Sequence, residues 1–166
     1  MQIFPQTDVA KAFDRLVADA LPDGRGLEAW RSLLRAHATL MRQLDTDLER
    51  KTGLALADFD VLGQLALARG ELRVTELADR ALISRSGMSR RVARLADQGL
   101  VRRAKADTDG RGIVVAITDR GIVRLAETAP VHLRGVSNLF AERLDDQQLA
   151  LLERALNKVI VDCSFG

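Results

Sequence analysis

Serine and arginine residues alternate with apolar residues in the segment ISRSGMSRRVARLADQ, residues 83–98. At 100° of rotation per residue, Met88, Val92 and Leu95 fall on one side of a helix, and we expect them to be buried. Ser86 and Arg90 then point away from the buried side. A guanidinium can donate two hydrogen bonds to guanine, and a hydroxyl can bond a base or a phosphate. This side of the helix could therefore contact a DNA groove.

The helix has a predicted beginning and end. Ser84 is a favoured N-cap residue, and Gly99 is a favoured stop. Free N–H groups over residues 84–87 would attract a phosphate. The residues that we expect to face DNA from this helix are Ser84, Arg85, Ser86, Gly87, Ser89, Arg90 and Arg94. A solvated surface is the simpler interpretation of any single arginine, whereas the combination of arginines and serines favours DNA binding.

A second basic feature follows the helix. Arg111 lies between Gly110 and Gly112, which lets the backbone turn sharply, and Asp109 is close enough to orient the arginine. An arginine at a hairpin tip can enter a narrow minor groove, where the negative potential is enhanced. An exposed hairpin with no partner is an equally good interpretation of this feature alone. The residues that we expect beside phosphates are Arg102, Arg103 and Lys105.

Charge is distributed unevenly along the chain. Residues 71–120 carry eleven basic and seven acidic residues, a net charge of +4, whereas the rest of the chain carries −2. The positive excess coincides with the segment that could touch phosphate. The chain has 47% hydrophobic and 29% charged residues, which is typical of soluble globular proteins. No secretory signal or bilayer-length apolar run is visible, so we expect a cytoplasmic protein.

Periodicity predicts a mainly α fold with a small β-hairpin. Helices are expected at about 7–21, 27–51, 56–68, 74–82 and 84–98, then strands at 100–105 and 113–117, then a helix that begins at Thr118 and Asp119, and a last helix. In the 74–82 helix, Leu77 and Leu82 are expected to bury one side, with Thr75 as a possible cap. Pro130 is expected to kink or break the next helix. The last helix begins with a capping box over residues 145–148.

Four segments together resemble the multiple-antibiotic-resistance regulator (MarR) family of winged-helix transcription factors, over nearly all of residues 27–160. They are LALADFDVLGQLA, VTELADRALISRSGMSRRVARLADQGLVRR, DTDGRGIVVAITDRG and LDDQQLALLERAL. The ISRSGMSRRVARL block is similar to the family's recognition helix. The Asp-Gly-Arg at residues 109–111 is similar to its wing signature.

The resemblance implies a winged helix-turn-helix protein with N- and C-terminal dimerisation helices. Residues 1–54 would hold the N-terminal extension and dimerisation helices, 55–120 the DNA-binding domain, and 121–166 the C-terminal dimerisation helices. It implies a homodimer that represses genes at a pseudo-palindromic operator, with Arg111 in the minor groove. It also implies release by a small phenolic or anionic effector. The extension over residues 1–26 is longer than in many members, and it could add a dimerisation helix.

Five residues could surround an effector in the cleft that the family places between the dimerisation helices and the winged domain. They are Trp30, His37, Met41, Asp60 and Arg91. Each also has a simpler interpretation. His37 is more often a packed histidine, Trp30 an interface residue, and Arg91 with Asp60 a structural salt bridge.

Other chemistry has little support in the sequence. Cys163 is the single cysteine, which excludes an intramolecular disulfide, and nothing nearby would activate it as a redox sensor. His132 is expected on an exposed helix face, and no metal site or cofactor is predicted. No phosphate-binding glycine loop or nucleophile elbow indicates an enzyme. The remaining alternatives are an architectural DNA binder without effector and a winged-helix module that binds an acidic protein.

Overall fold

The computed structural model describes residues 6–21, 24–105 and 112–164. The chain divides into two compact units, Met1–Met41 and Arg42–Gly166. Within the described ranges the elements are α1 (Gln6–Ala20), α2 (Leu27–Thr52), α3 (Leu56–Leu67), β1 (Glu71–Arg73), α4 (Val74–Arg80), α5 (Arg85–Asp97), β2 (Val101–Lys105), β3 (Ile113–Ile117), α6 (Asp119–Leu139), a 3-10 turn (Ala141–Arg143) and α7 (Asp146–Ser164). The predicted order of helices and hairpin is confirmed.

The first unit consists of α1 and the greater part of α2. Apolar side chains recur along both helices at three- and four-residue spacing, as predicted, yet many of them face solvent. The exposed apolar residues of this unit are Val9, Phe13, Leu16, Leu21, Trp30, Leu33, Leu34 and Met41. Stripes of this kind on helices are typical of surfaces that another element or another chain covers.

The core of the second unit lies between α3, α4, α5 and the sheet. Val61, Leu62 and Leu65 of α3 are at most 1% exposed, and Leu77 of α4 is fully buried. The opposite side of this core comes from Val115 of β3 and from α5. Burial on this scale fixes the orientation of α5, because each buried aliphatic side chain stabilises the fold by about 1.5–3 kcal/mol.

Two details of the α4 prediction are wrong. The N-cap is Arg73 rather than Thr75, and the N–H of Arg73 donates to Glu76 Oε2 at 3.1 Å. Leu82 is 92% exposed instead of buried. The reason is that α4 ends at Arg80 and the backbone of Leu82 is left-handed, with φ of 52°, so its side chain leaves the helical face.

The sheet has one strand more than the sequence predicts. β2 and β3 form the expected antiparallel hairpin, and β1 pairs with the other edge of β3, giving the order β1-β3-β2. β1 has only three residues, too few for an alternating pattern to be visible. Leu72 is paired with Val115 and buried, so the strand depends on its partner rather than on local sequence.

The α6 helix begins where the sequence predicts. The Thr118 hydroxyl accepts from the Gly121 N–H at 3.0 Å and donates to the Gly99 carbonyl at 2.8 Å. Pro130 lies inside α6, so the predicted break is wrong. A proline removes one backbone donor, while its neighbours keep their hydrogen bonds and their packing on α3.

The last helix begins with the predicted capping box. The Asp145 N–H donates to Gln148 Oε1 at 3.0 Å, and the Gln148 N–H donates to Asp145 Oδ1 at 2.8 Å. Two backbone donors that would otherwise lack partners are satisfied reciprocally.

Gly121 is expected to tolerate no side chain. A Cβ at this buried position would overlap the Leu100 carbonyl oxygen and lie 2.7 Å from Ile117 Cγ1. Gly121→Ala should lower the free energy of unfolding by about 1–3 kcal/mol in urea denaturation, because backbone must move. The control is Gly63→Ala, where a Cβ meets nothing within 4 Å. That variant should gain up to about 1 kcal/mol of helix propensity, and an equal loss in both would contradict the close approach.

Candidate nucleic-acid interface

The beginning of α5 is held by Ser84. Its backbone is extended, and its Oγ accepts a hydrogen bond from the Gly87 N–H at 3.1 Å, which confirms the predicted N-cap. The Ser86 Oγ lies 3.2 Å from the same oxygen. Ser84 is therefore part of the helix terminus itself, and either its hydroxyl or that of Ser86 donates the hydrogen bond between them.

The two sides of α5 differ as the sequence predicts. Met88, Val92 and Leu95 are at most 1% exposed and anchor the helix to the core. Arg85, Ser86, Ser89 and Arg90 are all exposed. The helix thus presents hydroxyls and guanidinium groups on the side opposite its packing face.

A buried carboxylate on α3 binds two arginines of α5. Asp58 Oδ1 accepts from Arg91 Nη1 at 3.0 Å and from Arg94 Nη2 at 2.6 Å. The Asp58 side chain is 7% exposed, whereas those of Arg91 and Arg94 are 25% and 53% exposed. A carboxylate removed from water needs such partners, because the charged form is otherwise strongly disfavoured.

This arrangement corrects one expectation for Arg91. Its partner is Asp58 and not Asp60, which is exposed. The reason is rotation along α3, because two residues correspond to about 200° and place the two carboxylates on opposite sides. The Arg94 guanidinium, expected to face DNA, donates to the same Asp58 carboxylate, while its side chain remains 53% exposed.

Asp58 was not singled out from the sequence, although a signal for it exists. It stands three, four and seven residues before Val61, Leu62 and Leu65, which is the spacing of the buried stripe of α3. An acidic residue in an apolar stripe requires a partner when the helix packs. The sequence contains many arginines, so the pairing itself depends on the tertiary structure.

Part of the wing lies within the described residues. Arg102 and Arg103 on β2 are exposed, opposite Ala116 and Val115 of β3. Asp109 and Arg111 lie outside the described residues, as does the side chain of Lys105.

The effector candidates are divided between the two compact units. Trp30, His37 and Met41 lie on α2 in the first unit, and all three are exposed. Asp60 and Arg91 belong to the second unit. A cleft of about 510 Å³ in the second unit has a different lining: Gly53, Leu54, Gln98, Leu100, Arg120, Val123, Arg124 and Glu127.

His132 is packed rather than exposed, contrary to expectation. Its ring centroid lies 4.7 Å from that of Phe59, because α6 packs on α3. Burial lowers the pKa of His132 below 6.5, and the negative charge of Asp60 partly opposes the effect. Its Nδ1 is buried without a hydrogen-bond partner in the part of the chain that the structure describes.

The described residues contain neither a metal-ligand cluster nor a membrane-spanning helix. Among the described residues, no three His, Cys, Asp or Glu side chains are grouped so that they could hold a metal ion. None of the helices in those ranges combines the length and apolar character needed to cross a bilayer. The side chain of Cys163 lies outside the description.

Known proteins share this architecture and sequence. A family model described as "MarR family" matches residues 52–112. A MarR family transcriptional regulator from Streptomyces coelicolor, solved in complex with DNA, is 36% identical; the alignment covers 81% of this chain and 88% of that one, with a TM-score of 0.75. The chain belongs to the MarR family.

Two further relatives agree with the assignment. AbsC, another MarR family transcriptional regulator from S. coelicolor, has a TM-score of 0.76 at 29% identity, and the alignment covers 83% of this chain and 93% of AbsC. A helix-turn-helix transcriptional regulator from Bacillus cereus is 27% identical over 78% of this chain and 85% of its own length. The winged-helix fold is confirmed, and the family consists of regulators rather than enzymes.

Removing the Asp58 charge should loosen α5. Asp58→Asn is expected to lower the free energy of unfolding by about 1–3 kcal/mol, because Arg91 and Arg94 lose a charged acceptor. The matched control is Asp60→Asn, an exposed carboxylate on the same helix that should change stability by less than about 0.5 kcal/mol. Urea denaturation at neutral pH measures both. Equal effects in the two variants would contradict a special role for the buried carboxylate.

Stability should depend on the protonation of His132. Because its pKa is lower in the folded than in the unfolded chain, the unfolded state binds more protons below pH 6.5. The contribution of His132 is therefore fully present above pH 6.5 and is lost as pH falls toward the lowered folded pKa.

Denaturation midpoints measured from pH 8 to 5 test this dependence. His132→Gln should lose less stability than the wild type over the acidic part of this range, because the titrating group is gone. His37→Gln, which removes the chain's other histidine from an exposed position, should keep the wild-type slope. A wild-type slope in His132→Gln would exclude His132 as the titrating group.

Proposed function

We propose that this MarR family protein binds double-stranded DNA as a homodimer and regulates transcription, acting as a repressor of nearby genes. The observation that carries the proposal is the exposed side of α5. Arg85, Ser86, Ser89 and Arg90 face solvent together, while the opposite side of the helix is anchored in the core. The S. coelicolor relative that was solved in complex with DNA supports the same use of this fold.

The dimer is supported by exposed apolar residues on α1, α2, α6 and α7. In addition to those of α1 and α2, these residues are Ile122, Val123 and Leu133 of α6 and Leu151, Val159, Ile160 and Val161 of α7. A soluble protein seldom leaves so many helical apolar side chains in water. We therefore assign residues 1–54 and 121–166 to dimerisation and residues 55–120 to DNA binding.

Base and phosphate contacts are assigned to different residues. Arg90 and Arg85 are proposed to reach the major groove, with Ser84, Ser86, Gly87 and Ser89 at its edges or phosphates. Arg111 would enter the minor groove with Asp109 orienting it, and Arg102 would neutralise a phosphate. Arg94 would contact DNA through the two guanidinium nitrogens, Nε and Nη1, that do not donate to Asp58.

An effector is proposed to act near Arg91. A small phenolic or other anionic ligand that binds Arg91 would compete with Asp58 for the Arg91 guanidinium. Because that ion pair connects α3 to α5, competition would change the orientation of the helix and weaken operator binding. An architectural DNA binder would lack this response.

Arginine substitutions test the DNA contacts. Arg90→Ala is expected to weaken binding roughly ten- to hundredfold to a duplex selected by the wild-type protein, because a base contact is lost. Arg111→Ala should also weaken binding, without a change in unfolding temperature. Arg134→Ala removes an exposed arginine from α6 and serves as the control. Fluorescence anisotropy across a salt series gives the affinities, and a stoichiometry of two chains per duplex is expected.

Three results would contradict parts of the proposal. Unchanged affinity in both the Arg90 and Arg111 variants would refute the contact assignment. Binding without a steep salt dependence would favour a module that recognises an acidic protein. No loss of DNA binding and no thermal stabilisation with a panel of phenols and small organic anions would favour the architectural alternative.

A further inference from the structure

Leu82 occupies a backbone conformation that leucine rarely adopts. It lies in the turn between α4 and α5 with φ of 52°, and its side chain is 92% exposed. The left-handed region brings Cβ close to the following carbonyl oxygen, and glycine or asparagine avoids most of this cost. An exposed leucine is ordinary by itself, but here no burial offsets the strained backbone.

The turn is held by its neighbours rather than by the leucine. The Leu82 N–H donates to the Asp79 carbonyl at 3.3 Å, and the Ile83 N–H donates to the Ala78 carbonyl at 3.1 Å. Ser84 then caps α5. These bonds use backbone atoms and the cap, so a glycine at position 82 would form the same turn. The side chain of Leu82 therefore needs an explanation outside the isolated chain.

The surroundings of Leu82 indicate which partner covers it. The exposed apolar residues of α1, α2, α6 and α7 form helical stripes, whereas Leu82 stands in a turn two residues before the N-cap of α5. The flanking exposed residues include Arg80, Arg85 and Arg90. Ile83 beside it is 37% exposed, and the acidic Asp79 is also exposed, so the turn presents two apolar side chains with a net positive charge. Such a surface is complementary to DNA, which carries apolar groups within a field of phosphates.

We infer that Leu82 contacts DNA, its isobutyl group packing on an apolar group at the groove edge. The group is either the C5-methyl of thymine or the carbon face of a deoxyribose. The inference rests on the proposed DNA binding and adds an apolar contact to the arginine and serine contacts of α5.

Asparagine and methionine variants separate side-chain contact from backbone strain. Leu82→Asn accepts the left-handed backbone, so its unfolding temperature should equal or exceed that of the wild type. Its Kd for a duplex that the wild type selects from a random pool should rise about five- to tenfold. Leu82→Met keeps an apolar side chain and should restore most of the affinity. Leu67→Asn is the control, because Leu67 is 81% exposed at the end of α3.

A uracil-containing duplex distinguishes the two apolar groups, since uracil lacks only the C5-methyl. If Leu82 packs on that methyl, replacing thymidine by deoxyuridine in the duplex should weaken DNA binding by the wild type more than it weakens DNA binding by Leu82→Asn. If it packs on deoxyribose, Leu82→Asn should bind both duplexes less tightly than the wild type, and by the same factor. Either result supports the contact.

Other outcomes overturn the inference. They are wild-type affinity in Leu82→Asn, an equal loss in Leu67→Asn, or a changed sedimentation coefficient in Leu82→Asn, which would place Leu82 in a protein interface. If the proposed DNA binding itself is wrong, the wild type will select no duplex from the pool, and that result is distinguishable because it appears before any variant is compared.

Discussion

The carboxylate of Asp58 is the constraint on which the candidate interface depends. It is buried on α3 and accepts hydrogen bonds from Arg91 and Arg94, so it connects the core of the second unit to the helix that carries the exposed arginines. Apolar packing alone allows a helix to rotate slightly or slide, whereas a buried ion pair has one good geometry. The positions of Arg85 and Arg90 therefore depend on a residue that is itself hidden from DNA.

The chain divides its apolar side chains between two tasks. The second unit buries aliphatic residues from α3, α4, α5 and the sheet in a core that fixes the helix-turn-helix. In contrast, α1, α2, α6 and α7 keep apolar side chains exposed, which the proposed homodimer would cover. The polar side of α5 lies neither in the core nor among these exposed apolar residues. In the proposed homodimer, the core would hold the exposed residues of α5 rigidly while α1, α2, α6 and α7 form the dimer interface.

Departures from the sequence-based expectations occur where a contact or a turn is not encoded in helical or strand periodicity. β1 exists because β3 offers it an edge, and its three residues carry no pattern of their own. Leu82 leaves the buried side because α4 stops early and the chain turns left-handed. His132 is covered because α6 packs on α3. For β1 and His132 the deciding contact comes from residues distant in the chain, which local periodicity cannot register, whereas for Leu82 a local left-handed turn ends the helical periodicity.

By itself, the sequence determined the order of helices and hairpin, the caps at Ser84, Thr118 and residues 145–148, and the buried and exposed sides of α5. These features follow from interactions within one turn of helix or from a single rotation per residue. Tertiary structure alone decided that Asp58, not Asp60, binds Arg91, and that Arg94 is drawn to the same carboxylate. The chain contains many acidic and basic residues, and only the packing of the helices determines which of them form ion pairs in the interior.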